Sequence, residues 1–70
     1  MLLIKFFKQL IRELREEAKL KQTEFAEMFH VHQTYVSKWE RGLGEPSYEI
    51  LCKIADYFGV STDYLLGRED

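Results

Sequence analysis

Seventy residues, 46% hydrophobic and 14% aromatic, suffice for one packed domain, but a chain of this size buries only about 60% of its unfolded surface, which argues against a deep enzymatic cleft. The formal charge of −2 excludes the strongly basic class of nucleic-acid binder. The charge is uneven, however: residues 1–42 hold eight basic and six acidic side chains and residues 43–70 hold two and six, so any cation-rich face lies in the first part.

The chain opens on MLLIKFFKQLIREL, where Lys5 and Lys8 interrupt the apolar run and charges follow from Arg12 on, a pattern unlike a signal peptide. No apolar stretch approaches the roughly 20 residues of a membrane span. The single cysteine, Cys52, has no partner for an intramolecular disulfide. We therefore expect a cytoplasmic protein, with residues 1–70 forming a single domain and residues 1–6 an apolar extension of its first helix.

Helical spacing of Ile4, Phe7, Ile11, Leu14 and Ala18 predicts a first helix over about residues 3–18, with its inner face along that stripe. A second, short helix is expected over about Gln22–Phe29, with Phe25, Ala26 and Phe29 inward, and the turn is His30-Val31-His32. A third runs over about Gln33–Arg41. It sets Tyr35, Val36 and Trp39 on one side and Gln33, Thr34, Ser37, Lys38 and Arg41 on the other, before Gly42 signals a C-cap. A fourth, over about Ser47–Phe58, follows Pro46, turns Leu51, Cys52, Ile54, Ala55 and Phe58 inward and stops at Gly59. Ser61 caps a last short turn ending at Gly67. With no strand-like alternation, the fold class is all-α.

A nine-residue helix is about 13 Å long and, with its side chains, suits a B-DNA major groove roughly 12 Å wide. Gln33 and Thr34 stand at the N-terminal end of the third helix, where Gln offers a bidentate pair to adenine and Thr a hydroxyl or methyl contact. Lys38, one turn on from Thr34, suits guanine O6 and N7. Lys21, Arg41, Tyr35 and Lys19 are candidates for phosphate contacts.

The run QTEFAEMFHVHQTYVSKWERG, followed by EPSYEILCKIADYFGVSTDYLLG, resembles the phage-repressor and Cro-like helix-turn-helix family, the Xre group, over about Phe7 to Gly67. The likeness rests on Gln at the start of the second helix, small Ala26, Val31 in the turn, V-S-K-W-E-R-G, E-P-S and G-V-S-T-D-Y-L-L-G in order and spacing. It implies a compact five-helix fold whose second and third helices form the helix-turn-helix. By the same resemblance Gln33, Thr34 and Lys38 read bases with Ser37 between them, Gln22 contacts phosphate and buttresses Gln33, and Arg15 and Glu40 form a partly buried structural ion pair. Four turn or cap positions depart from the family's usual Gly, Ser or Thr, carrying Lys19, Lys21, His30 and His32. His30 falls where a positive φ is expected, at about 1–2 kcal/mol relative to Gly, and His32 is expected to cap less well than Ser. Leu43-Gly44 lack the cations often found after the third helix.

The function expected from these features is sequence-specific binding of double-stranded DNA by a homodimeric repressor, on a palindrome with half-sites about one helical turn apart, roughly 34 Å. No cofactor, metal, small-molecule substrate or catalysis is expected: His30, His32 and Cys52 lack zinc-ligand spacing, and the carboxylates are scattered. Cys52 reads as a buried, inert thiol. The competing reading is a protein-interaction module, such as an antitoxin or anti-repressor component, working through a second apolar stripe formed by Leu2, Leu3, Phe6 and Leu10. Ile50, Tyr57 and Tyr64 form a rival surface for a dimer or partner.

Overall fold

Amphipathic segments punctuated by good stop signals become helices at each expected place. The computed structural model describes the backbone of residues 2–66 and the side chains of residues 7–66. Among them the elements are α1 (Leu2–Glu17), α2 (Gln22–Met28), α3 (Gln33–Glu40), α4 (Tyr48–Phe58) and α5 (Thr62–Leu65), with no strand. The side chains of Leu2, Leu3, Ile4 and Phe6, and the turn end at Gly67, lie outside the described residues. Among the described residues no helix is long and apolar enough to cross a membrane.

Four of the helices end by one device. Lys19 (φ 60°), His30 (φ 58°), Gly42 (φ 75°) and Gly59 (φ 67°) are left-handed. At each, the next residue's N–H reaches back to a carbonyl of the last turn: Leu20 to Arg15 at 3.1 Å, Val31 to Ala26 at 3.0 Å, Leu43 to Lys38 at 2.8 Å and Val60 to Ala55 at 3.0 Å. This satisfies carbonyls that a helix end leaves open. Glycine takes the conformation freely; His30 has the positive φ expected of it, and Lys19 shares the same Cβ penalty. Leu20, Val31 and Val60, the residues after three of these turns, fold back against the core.

At the opposite ends, Ser47 Oγ accepts from Ile50 N at 3.2 Å and Ser61 Oγ from Tyr64 N at 3.0 Å. The Lys21 ammonium has no acceptor to offer α2, but Glu24 Oε1 accepts from Lys21 N at 2.7 Å, supplying half of a capping box. His32, at a position where Ser is the stronger cap, offers its Nδ1, which accepts from Thr34 N at 3.1 Å, so the imidazole takes the capping role for α3.

The core is Phe7 and Ile11 of α1, Phe25, Ala26 and Phe29 around α2, Val36 and Trp39 of α3, Leu51, Ile54 and Ala55 of α4, and Leu65 of α5. Its aromatic rings bridge elements: Phe7 meets Trp39 edge-on at 6.3 Å, and Phe25 stacks on Phe58 at 6.0 Å. Such pairs add about 0.5–1.5 kcal/mol each beyond area burial. Three inward assignments need correction. Ala18 is exposed because α1 ends at Glu17 and the chain turns away at Lys19. Tyr35 is 55% exposed, because the buried face of α3 runs through Val36, Trp39 and Glu40, one position further round the helix. Cys52 is half-buried, so the thiol is not fully enclosed, whereas Leu14 and Phe58 face inward and pack, half-buried, against the core.

Candidate nucleic-acid interface

The site is built on a buried carboxylate. Glu40, the last residue of α3, is only 4% exposed. Arg15 of α1 grips it with both prongs, Nε to Oε2 at 2.6 Å and Nη2 to Oε1 at 3.0 Å, while its Nη1 donates to the Leu20 carbonyl at 2.8 Å. Gln22, at the start of α2, donates its amide to Glu40 Oε1 at 3.0 Å. Arg12 adds a longer, half-exposed contact at 3.5 Å. Burial alone would push the Glu40 carboxyl up; the hydrogen bonds from Arg15 and Gln22 and the charges of Arg15 and Arg12 outweigh it and hold the group below the usual carboxylate range. The Arg15 guanidinium is raised in turn, chiefly by its hydrogen bond to Glu40.

The chain of bonds continues to the far end of α3. Gln33 Nε2 donates to Gln22 Oε1 at 2.8 Å, so both ends of α3 are tied through Gln22 to the same carboxylate. Gln33 keeps its second amide hydrogen and its carbonyl oxygen, the donor and acceptor that a bidentate contact with adenine uses. Thr34 and Lys38 are exposed, and Ser37 between them is half-buried. The Arg41 Nε turns back to the Ser37 carbonyl at 3.3 Å, leaving the exposed end of its guanidinium beyond α3. Lys19, Lys21 and Tyr35 are all exposed, on the turn before α2, at the cap of α2 and on the first turn of α3 respectively.

The sequence alone does not single out Arg12, and it marks His32 only as a cap. Arg12 stands three residues before Arg15 on one face of α1, a spacing that offered the signal. His32 places its Nδ1 2.8 Å from Thr34 Oγ1 as well as near the backbone. Of the rival partner surface, Tyr57 is 60% exposed and leans edge-on against Phe29 and Phe58. Ile50 and Tyr64 pack against the core, and Leu10 is half-buried. Leu3 and Phe6, expected on the other stripe, have side chains outside the described residues.

Two short helices joined by a left-handed turn, the second presenting an exposed polar face braced at both ends, define a helix-turn-helix. Residues 11–65 match the helix-turn-helix family, and the chain belongs to it, in its phage-repressor and Cro-like branch. It is similar to the HTH-type transcriptional activator BcrR of Enterococcus faecalis, 39% identical over 64 residues that cover 91% of this chain and 31% of that protein. It is similar also to the HTH-type transcriptional regulator ImmR of Bacillus subtilis (strain 168), 35% identical over 60 residues covering 86% and 47% of the two chains. An uncharacterized HTH-type transcriptional regulator of Mycobacterium tuberculosis (strain ATCC 25618 / H37Rv), Rv0474, is 40% identical over 58 residues covering 83% and 41%. The chain thus spans 31–47% of the length of these relatives. No solved structure gives a significant match.

Proposed function

We propose that this chain binds double-stranded DNA sequence-specifically, with α3 in the major groove, and represses transcription as a cytoplasmic, non-enzymatic homodimer on a palindromic operator. The observation that carries the reading is the bond sequence Arg15–Glu40–Gln22–Gln33, which fixes a bidentate amide at the tip of an exposed helix. A reader held in advance loses little side-chain entropy on binding. Gln33, Thr34 and Lys38 face base edges with Ser37 between them, and Lys19, Lys21, Gln22, Tyr35 and Arg41 hold the backbone. The copy contact is assigned to the surface carrying Ile50, Tyr57 and Tyr64, where Tyr57 offers the exposed ring.

Selection from random duplex DNA tests this, with wild type, Gln33→Ala, Lys38→Ala and Arg41→Ala compared. The expected result is a palindrome in which Gln33→Ala and Lys38→Ala each relax one position per half-site by about 1–3 kcal/mol. Arg41→Ala should instead weaken all sequences alike and reduce the salt slope by about 0.9. Absence of any enriched sequence sinks the proposal and turns attention to a protein partner, as the antitoxin-like reading requires. An enriched site without two-fold symmetry removes the dimer alone.

A further inference from the structure

The contact between His32 and Thr34 has a direction that the geometry dictates. His32 Nδ1 lies 3.1 Å from Thr34 N and 2.8 Å from Thr34 Oγ1. A backbone N–H only donates, so Nδ1 carries no proton and the ring's proton sits on Nε2. An unprotonated ring nitrogen has only a lone pair to offer. At 2.8 Å from a hydroxyl oxygen, two facing lone pairs would repel, so the Thr34 hydroxyl must also donate to Nδ1. Its single hydrogen is thereby committed inside the protein. What exposed Thr34 retains for a partner is acceptor capacity alone.

We infer that His32 is a specificity-determining residue: it makes Thr34 a reader of base-edge donors, the exocyclic amino groups of adenine N6 and cytosine N4. This rests on the groove-reading function proposed above. The major groove presents these donors on adenine and cytosine, whereas guanine O6 and thymine O4 present acceptors to which the committed hydroxyl has no hydrogen to give. Thr34 is therefore selective where a free threonine hydroxyl serves either kind of base. A serine at position 32 also caps the helix, as a stronger cap than the imidazole, but, being both donor and acceptor, does not fix the hydroxyl. Gln33, which keeps one donor and one acceptor, reads a different pattern from its neighbour.

Two measurements on the full chain test the assignment. Long-range nitrogen–proton NMR of the free protein should find the His32 proton on Nε2; a proton on Nδ1 overturns the inference without reference to DNA. Selection from random duplex DNA should then show one position per half-site favouring adenine over thymine and cytosine over guanine on the strand Thr34 faces, by about three- to tenfold. His32→Asp, whose carboxylate only accepts, should retain that preference, whereas His32→Ser and Thr34→Val should flatten it. An unchanged profile in His32→Ser, or loss of the preference in His32→Asp with DNA binding intact, overturns the role of His32 and leaves groove reading standing. No enriched sequence for wild type overturns both.

Discussion

The Arg15–Glu40 pair is the interaction whose removal should be felt most. Replacing Glu40 by Leu leaves the Arg15 guanidinium, its side chain only 13% exposed, with the Leu20 carbonyl as its remaining hydrogen-bond acceptor and the nearby charge of Glu16. It also strands the Gln22 amide and so loosens Gln33. Replacing Arg15 by Met leaves a carboxylate whose side chain is 1% exposed, facing Gln22 and the more distant Arg12. Breaking a buried pair from one side costs about 3–5 kcal/mol, and residual partners on both sides place each single variant near 3. A 70-residue chain has a total stability of about 4–10 kcal/mol, so either variant loses a large share of it. The double variant Arg15→Met/Glu40→Leu strands no charge in the core and should recover to within about 1 kcal/mol of wild type, because apolar replacement of a buried pair is often neutral. Urea unfolding of all four proteins at neutral pH measures this, with m unchanged and the midpoint shifted. Single variants costing under about 1 kcal/mol, or a double variant equal to the sum of the singles, would show that the two side chains are not a coupled buried pair.

The same pair sets an acid limit. Glu40 titrates lower in the folded chain than in the unfolded one, so its contribution is complete above the unfolded value of about 4.3 and is lost as pH falls through the folded one. Urea midpoints of wild type should therefore fall towards, or below, those of the double variant only under that pH; parallel curves down to strong acid would contradict it. Relieving the left-handed turns should stabilise the chain: Lys19→Gly and His30→Gly are each expected to add about 0.5–1 kcal/mol, read as a higher melting temperature. Gly59→Ala should subtract about 1 kcal/mol, and since an added Cβ meets nothing within 4 Å, that cost belongs to the backbone alone. Gly44 is not in the left-handed region and its Cβ position is also open, so Gly44→Ala should raise stability by about 0.4–1 kcal/mol; a loss there would show that the loop needs the glycine's freedom.

Local chemistry carried much of this protein in its one-dimensional form. Apolar residues at helical spacing, Ser47 and Ser61 before helices, and Gly42 and Gly59 after them state where helices begin and end, because capping and left-handed turns depend on neighbours in sequence. The order of motifs around Gln22, Val31 and the end of α3 was equally readable, and with it the family. Tertiary structure decided what depends on distant partners. A helical wheel places Tyr35 and Glu40 both near the rim of an apolar face, yet one is half in solvent and the other buried. The difference arises because Arg15 and Gln22 arrive from α1 and α2, 25 and 18 residues away, to neutralise the carboxylate. A charge enters a core only where such partners meet it. The imidazole of His32 shows the same division on a smaller scale: its position before α3 is written in the sequence, while the ring nitrogen that faces Thr34, and so the direction of that bond, belongs to the folded chain.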